Sequence, residues 1–276
     1  MARENARRIP GEPPRPRKRF GQHFLTDPRI LGRIADALAA APGDTVVEVG
    51  PGRGALTAAL LDRVGPGGRV VGVEVDRDLA SALRARYGHS PAFELVEGDF
   101  LAVDIGTHVA GPFLLAGNIP YNITTPIIFK ALDAPRATRM VLLVQREVAE
   151  RLSARAGSHF YGALSANVQA VAAVETLFGV AAGAFSPAPK VESAVVRITP
   201  RADPVVSPAE EPAYRAMVVR LFSFRRKQLC RAVREAFGLA ASDAAGILER
   251  AGVDSTARPE VLAPADFARI LRAWER

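Results

Sequence analysis

The tetrapeptide Asn118-Ile119-Pro120-Tyr121 follows the apolar run Phe113 to Ala116 and carries the residue types that chemistry on an exocyclic amine of a base requires. The N6 lone pair of adenine is delocalised into the ring, so the amine is a poor nucleophile until acceptors hold its hydrogens. The side-chain carbonyl of Asn118 is one such acceptor. The backbone carbonyl of Ile119 or Pro120, fixed by the locked φ of the proline, is a second. Together they favour a pyramidal nitrogen with its lone pair aimed at a methyl donor, and Tyr121 offers a face on which an extruded base stacks. The chemistry implied is methyl transfer to adenine N6. Asn and Pro also mark ordinary turns, so the tetrapeptide alone equally describes a strand-to-helix turn with an Asn cap and a half-buried Tyr.

A methyl donor needs its own site, and Gly50-Pro51-Gly52-Arg53-Gly54 supplies a glycine-rich turn between a first strand and a first helix. Such a turn lets backbone amides approach a ligand closely, and an acidic residue ending the second strand, here Glu74, suits a ribose diol. The spacing is G-x-G-x-G, unlike the G-x-G-x-x-G of dinucleotide folds. Glu48, just before the glycines, is a poor neighbour for a pyrophosphate and a reasonable one for a sulfonium with its amino-acid ammonium. Asp99, in Glu97-Gly98-Asp99-Phe100 after the third strand, is placed to accept the amino group of an adenine. Each acid alone reads as a cap or loop carboxylate; their occurrence at successive strand ends is what favours a cofactor.

The elements that must position these residues alternate between short apolar strands and amphipathic helices. Thr26 or Asp27 caps a helix with Pro28 in its first turn, and Ile30, Leu31, Ile34 and Leu38 share one face before Pro42-Gly43. Strands are expected at Thr45 to Val49, Val70 to Val75, Phe93 to Val96, Phe113 to Ala116 and Met140 to Val144. Helices are expected after Gly54, from Leu79 to Tyr87, around Ile127 to Leu132 and from Glu147 to Arg155. Glu175 to Phe178 and Val191 to Ile198 read as a closing pair of strands. This alternation predicts an α/β domain with a mostly parallel sheet covered by helices on both sides. Pro200, Pro204 and Pro212 mark a change of composition, after which only helical periodicity remains, as in Ala213 to Phe222 and Lys227 to Phe237. The expected organisation is a disordered basic tail over 1–16, a catalytic domain over 17–203 and a small all-helical domain over 204–276.

A hydrophobic share of 49% with 24% charged residues fits a soluble globular chain. No apolar run reaches the roughly 20 residues of a membrane helix, because Glu175 interrupts the longest one. Cys230 is the only cysteine, which excludes an internal disulfide, and the basic N-terminus has no apolar signal core, so a cytoplasmic setting is expected. The net charge of +7 leans toward a polyanionic partner, and its distribution is more telling than its total. Met1 to Phe20 holds seven basic residues against Glu4 and Glu12, and Arg215 to Arg234 holds seven with no acid between them. Two basic clusters flanking the chemistry-bearing middle favour a nucleic-acid backbone. His23, His89, His108 and His159 are scattered, so no metal site is expected.

The chain resembles the S-adenosylmethionine-dependent ribosomal RNA adenine dimethyltransferases, from about Arg17 to the C-terminus. Besides the glycine turn and Asn118 to Tyr121, the resemblance rests on Gly21-Gln22-His23-Phe24-Leu25, Tyr161-Gly162-Ala163-Leu164-Ser165 and the run Phe185 to Val196. It implies a Rossmann-like methyltransferase fold with a seven-stranded sheet and S-adenosylmethionine as cofactor. It also implies that His23, Leu25, Gly50, Glu74, Asp99 and Asn118 contact that cofactor, and that Tyr121 and Phe185 cover the two faces of the base. His23 stands where the best-known members have Asn, which leaves the backbone contact available and the side-chain contact open. The product implied is a pair of adjacent N6,N6-dimethyladenosines in the hairpin near the 3′ end of 16S ribosomal RNA, made by a monomer acting on a maturing small ribosomal subunit. Three alternatives share parts of this pattern. One is the sister enzyme of 23S ribosomal RNA that confers macrolide resistance, which Arg225 to Leu229 and Arg258 to Leu262 disfavour. The others are a DNA adenine methyltransferase, whose motif and target-recognition domain are absent, and a non-catalytic assembly or transcription factor of the same fold, which intact Glu74, Asp99 and Asn118 disfavour.

Overall fold

The computed structural model describes residues 21–274. The expected basic tail over 1–16 lies outside the described residues. In chain order the strands and α-helices are β1 (Phe24–Leu25), α1 (Pro28–Leu38), β2 (Thr45–Val49), α2 (Ala55–Val64), β3 (Arg69–Glu74), α3 (Arg77–Tyr87), β4 (Phe93–Glu97), β5 (Leu114–Asn118), α4 (Thr124–Leu132), β6 (Arg139–Gln145), α5 (Arg146–Ser153), α6 (Ala163–Val171), β7 (Ala172–Val180), β8 (Phe185–Ser186), β9 (Ser193–Pro200), α7 (Glu211–Phe222), α8 (Leu229–Phe237), α9 (Ala241–Ala251) and α10 (Pro264–Trp274).

Seven strands pair in the order β4-β3-β2-β5-β6-β9-β7, and β1 pairs antiparallel with β8 in a separate ribbon. The pairs β2/β3, β3/β4, β2/β5 and β5/β6 are all parallel. The α/β class with a mostly parallel sheet is therefore as the alternation of elements implied. From β2 the chain runs outward to β3 and β4, then returns to place β5 and β6 on the other side. The sheet order thus switches between β2 and β5, where open α/β sheets form a ligand crevice at the carboxyl ends of the strands.

The described residues form two compact units. One comprises 21–131, 135–143 and 180–192; the other comprises 132–134, 144–179 and 193–274. In the first, α1 starts because the Asp27 carboxylate accepts the Arg29 N–H at 2.8 Å with Pro28 at the first helical position. Its buried face is Leu31, Ile34, Ala35 and Leu38. In β2, Val46, Val47, Glu48 and Val49 are all buried, the continuous pattern of a central parallel strand rather than an alternating one. In the second unit, the phenol of Tyr161 donates to the Leu262 carbonyl at 2.9 Å and that of Tyr214 to the Pro264 carbonyl at 3.1 Å. The Ser165 hydroxyl accepts the Gly162 N–H at 3.1 Å at the start of α6. The Tyr161 to Ser165 motif thus reads as a helix start and core anchor.

Among the departures from the sequence expectation, two bear on the site. The β1/β8 ribbon is two residues long on each side, too short to leave a periodic signal. β5 extends to Asn118 rather than stopping at Ala116, through Gly117, a residue that normally weakens strands. The reason is a close approach: a Cβ at Gly117 would lie 2.8 Å from the Val49 carbonyl oxygen and 2.9 Å from Ile119 Cδ1. Gly117→Ala is expected to lower unfolding stability by about 1–3 kcal/mol through overpacking, measured by denaturant titration, with a matching loss of activity because Asn118 is the next residue.

Candidate active site

One cavity of about 500 Å³ opens at the switch between β2 and β5, within the first unit. That volume is in the range of sites for cofactor-sized ligands. Its wall contains His23, Leu25, Glu48, Gly50, Glu74, Asp99, Asn118 and Tyr121. Eight of the nine residues expected at the site, Glu48 among them, are therefore brought together. Gly50 is one of them, and Phe185, the only other residue named for the base or cofactor, does not line the cavity. Phe185 sits in β8 with its Cα opposite Leu25 and is 5% exposed.

The glycine turn earns its composition. Gly50, Gly52 and Gly54 have φ of 66°, 60° and 76°, the left-handed region that side chains disfavour. Space adds to the constraint at two of them: a Cβ at Gly52 would lie 3.1 Å from the Phe24 ring, and one at Gly54 2.7 Å from the Tyr87 ring. Tyr87 also donates its phenol proton to the Gly54 carbonyl at 2.9 Å. Phe24 in turn carries the Arg53 guanidinium 4.4 Å from its ring centroid, so the segment 21–25 is held against the turn by a cation–π contact. Gln22 reinforces this by donating to the Asp76 carboxylate at 3.2 Å.

Glu74, 3% exposed, ends β3 and accepts the Gly52 N–H through Oε2 and the Asp76 N–H through Oε1, both at 2.9 Å. Burial raises its pKa, and these backbone hydrogen bonds oppose the rise. Each carboxylate oxygen keeps a lone pair for a ribose hydroxyl. Glu48, 1% exposed, accepts the Thr57 hydroxyl at 2.6 Å, yet burial pushes its carboxyl up to about 8, with repulsion from Glu74 adding to the effect. At neutral pH Glu48 is therefore mostly protonated, and a cation beside it favours the carboxylate. Asp99 is exposed, its Oδ1 accepting the Leu101 N–H at 2.9 Å, and Lys130 donates to the carbonyls of Leu101 and Val103 to fix that loop.

On the opposite wall, Asn118 donates Nδ2 to the His23 carbonyl at 2.7 Å, which orients the amide and leaves Oδ1 as its acceptor. The Pro120 carbonyl accepts the Ile123 N–H at 3.1 Å and the Thr124 hydroxyl at 3.3 Å. Because the Pro120 carbonyl already accepts within this turn, that of Ile119 is the better second acceptor of the two that the sequence left open. Tyr121 is half-buried at the start of a 3-10 turn over Tyr121–Ile123. Gln22 and Phe24 stood in the motif Gly21 to Leu25 without a role of their own, and Thr57 and Asp76 were passed over. A Thr in the otherwise aliphatic first turns of α2 was the one available signal. Among the described residues, no group of three or more His, Cys, Asp or Glu is arranged to hold a metal ion.

The raised carboxyl of Glu48 makes folding pH-dependent. A group protonated up to about pH 8 when folded and near 4.5 when unfolded contributes most below 4.5, and its contribution is lost as pH rises to about 8. Glu48→Gln should remove a loss on the order of 4 kcal/mol across that window. Denaturant midpoints at pH 5 and 8.5 check this, the variant being expected to decline less than the parent.

Comparison with known proteins bears on what this cavity serves. The family model described as ribosomal RNA adenine dimethylase matches residues 14–273. A ribosomal RNA small subunit methyltransferase A from Synechococcus sp. (strain JA-3-3Ab) is 47% identical over 230 residues, 80% of each chain. Among solved structures, a dimethyladenosine transferase from Plasmodium falciparum aligns with a TM-score of 0.76 at 26% identity, covering 92% of this chain and 98% of that one. The 23S rRNA methyltransferase ErmE aligns with a TM-score of 0.70 at 29% identity, covering 92% of this chain and all of that one. A match of the family model across nearly the whole chain, with the glycine turn, Glu74 and Asn118 on one cavity, places this protein in the ribosomal RNA adenine dimethylase family.

Proposed function

We propose that the protein is an S-adenosylmethionine-dependent dimethyltransferase that converts two adjacent adenosines in the hairpin near the 3′ end of 16S ribosomal RNA to N6,N6-dimethyladenosine, within a maturing small subunit. The observation that carries the reading is the Asn118 amide, oriented by its 2.7 Å hydrogen bond to the His23 carbonyl on the same cavity as the glycine turn and Glu74. The small-subunit assignment is supported by the curated relatives, ribosomal RNA small subunit methyltransferase A proteins at 47%, 38% and 44% identity over 80–95% of this chain.

S-adenosylmethionine, when bound, supplies an electrophilic sulfonium methyl. The residues suited to hold it are Glu74 at the ribose, Asp99 at the adenine amine, Glu48 near the amino-acid ammonium, and His23, Leu25 and Gly50 around it. Asn118 Oδ1 and the Ile119 carbonyl accept the two N6 hydrogens of the target adenosine, localising the nitrogen lone pair, while Tyr121 stacks on the base. Attack places positive charge on the nitrogen, so its proton becomes acidic and leaves without a strong general base. After the first transfer one N–H remains for one acceptor, which keeps the monomethyl product oriented for a second. Phe185, buried and paired with Leu25 across the β1/β8 ribbon, holds that segment in place. The exposed Arg225 and Arg226, the helices from residue 204 onward and the basic N-terminal residues supply phosphate contacts. The enzyme acts as a cytoplasmic monomer; among the described residues no helix is long and apolar enough to cross a membrane.

Asn118→Ala should reduce methyl transfer to undermethylated small subunits by at least a hundredfold while leaving particle binding within about threefold. Retained turnover would remove Asn118 from the reaction.

A further inference from the structure

We propose that Glu48 gives up its proton to solvent in exchange for the amino-acid ammonium of S-adenosylmethionine, which makes the cavity selective for ligands that carry that cation. This rests on the placing of Glu48 beside the ammonium. The side chain is buried, yet it stands on the wall of the cavity, so a charge there meets protein on one side and ligand on the other. Among the described residues its one hydrogen-bond donor is the Thr57 hydroxyl at 2.6 Å. A single neutral hydroxyl does not offset the desolvation of a carboxylate.

The groups around Glu48 supply it with no compensating charge. Its partners across the sheet, Gly72 and Ala116, have no charged side chain. From β3 comes Glu74, whose charge opposes ionisation of Glu48, and from α3 the Tyr87 phenol, whose own ionisation the Glu48 charge opposes. Elsewhere on the wall, Arg53 lies over the Phe24 ring, Asp99 is exposed, and His23 Nδ1 is 2.8 Å from the Pro187 carbonyl. Burial is the main reason that the carboxyl titrates at about 8, so its O–H is intact at pH 6 to 7 before a ligand arrives. An ammonium entering beside it favours the carboxylate. The O–H bond then breaks, the proton passes to solvent, and the ammonium keeps its own N–H bonds to donate to the new anion. The site thus holds an ion pair in place of a lone buried charge of either sign. Binding that displaces one proton tightens by about tenfold per pH unit while the free carboxyl is protonated and the bound one ionised. An adenosine compound without an ammonium leaves the proton in place.

The test is calorimetry at pH 6.5 in phosphate and in imidazole buffer, whose different ionisation heats give the number of protons exchanged on binding. Three ligands are compared: S-adenosylmethionine; S-adenosylhomocysteine, which keeps the ammonium and lacks the sulfonium; and 5′-methylthioadenosine, which lacks the amino acid. The expected result is release of close to one proton with the first two and none with the third. Dissociation constants for the first two should be about tenfold lower at pH 7 than at pH 6. Glu48→Gln should release no proton and bind S-adenosylmethionine equally at both pH values, with a denaturant titration confirming that it is folded. Thr57→Val, which removes the donor to the carboxylate, should weaken S-adenosylmethionine at least threefold at pH 7, and Thr57→Ser should restore it. No proton release from the parent, equal release with 5′-methylthioadenosine, or parental affinity in Thr57→Val would each overturn the proposal. So would release that persists in Glu48→Gln, which would trace the proton to His23 or another group on the wall. A parent that binds neither S-adenosylmethionine nor S-adenosylhomocysteine would instead overturn the functional reading beneath it.

Discussion

The hydrogen bond from Asn118 Nδ2 to the His23 carbonyl joins two segments 95 residues apart, and the arrangement of the cavity depends on it. Asn118 ends a central strand, a rigid element, whereas His23 belongs to a short segment with a single pair of ladder partners in β8. Tying the second to the first fixes the amide orientation, and with it the position of Oδ1. The same segment is pinned by Gln22 to Asp76 and by Phe24 to Arg53, so the two ends of the cavity, glycine turn and Asn118, are positioned against one strap.

Electrostatics divide the cavity in the same way. Its cofactor end holds two carboxyl groups that burial would rather keep neutral, Glu48 and Glu74. Glu74 is compensated by two backbone N–H donors, whereas Glu48 has one hydroxyl. That imbalance suits a ligand that brings its own positive charge, because the cation supplies what the protein withholds. The end with Asn118, Ile119 and Tyr121 is uncharged, as suits a neutral base whose positive charge develops only during reaction. The glycine turn at the cofactor end admits a ligand to its backbone because three alternate residues, Gly50, Gly52 and Gly54, take up conformations that a side chain would strain.

Much of this was legible in the sequence. The parallel sheet followed from alternating elements, and the boundaries of β2 and α1 coincided with the capping and apolar signals of Asp27, Pro28 and Thr45 to Val49. The glycine turn, Glu74, Asp99 and Asn118 could be named because each sits at a strand end, where α/β folds gather function. What was not legible depends on tertiary contact. The extension of β5 through Gly117 follows from the approach of Val49. The β1/β8 ribbon pairs residues 160 positions apart, and a two-residue strand has no period. The parallel placement of His23 and Tyr121, and the burial of Phe185 away from the cavity, likewise arise from how that ribbon folds over β5, which no local pattern encodes.

The most direct measurement incubates the purified protein and S-adenosylmethionine with undermethylated small and large ribosomal subunits, followed by digestion of the RNA and mass spectrometry of its nucleosides. The account predicts N6,N6-dimethyladenosine in the small-subunit RNA alone. Dimethyladenosine in the large-subunit RNA, or none in either, would contradict it.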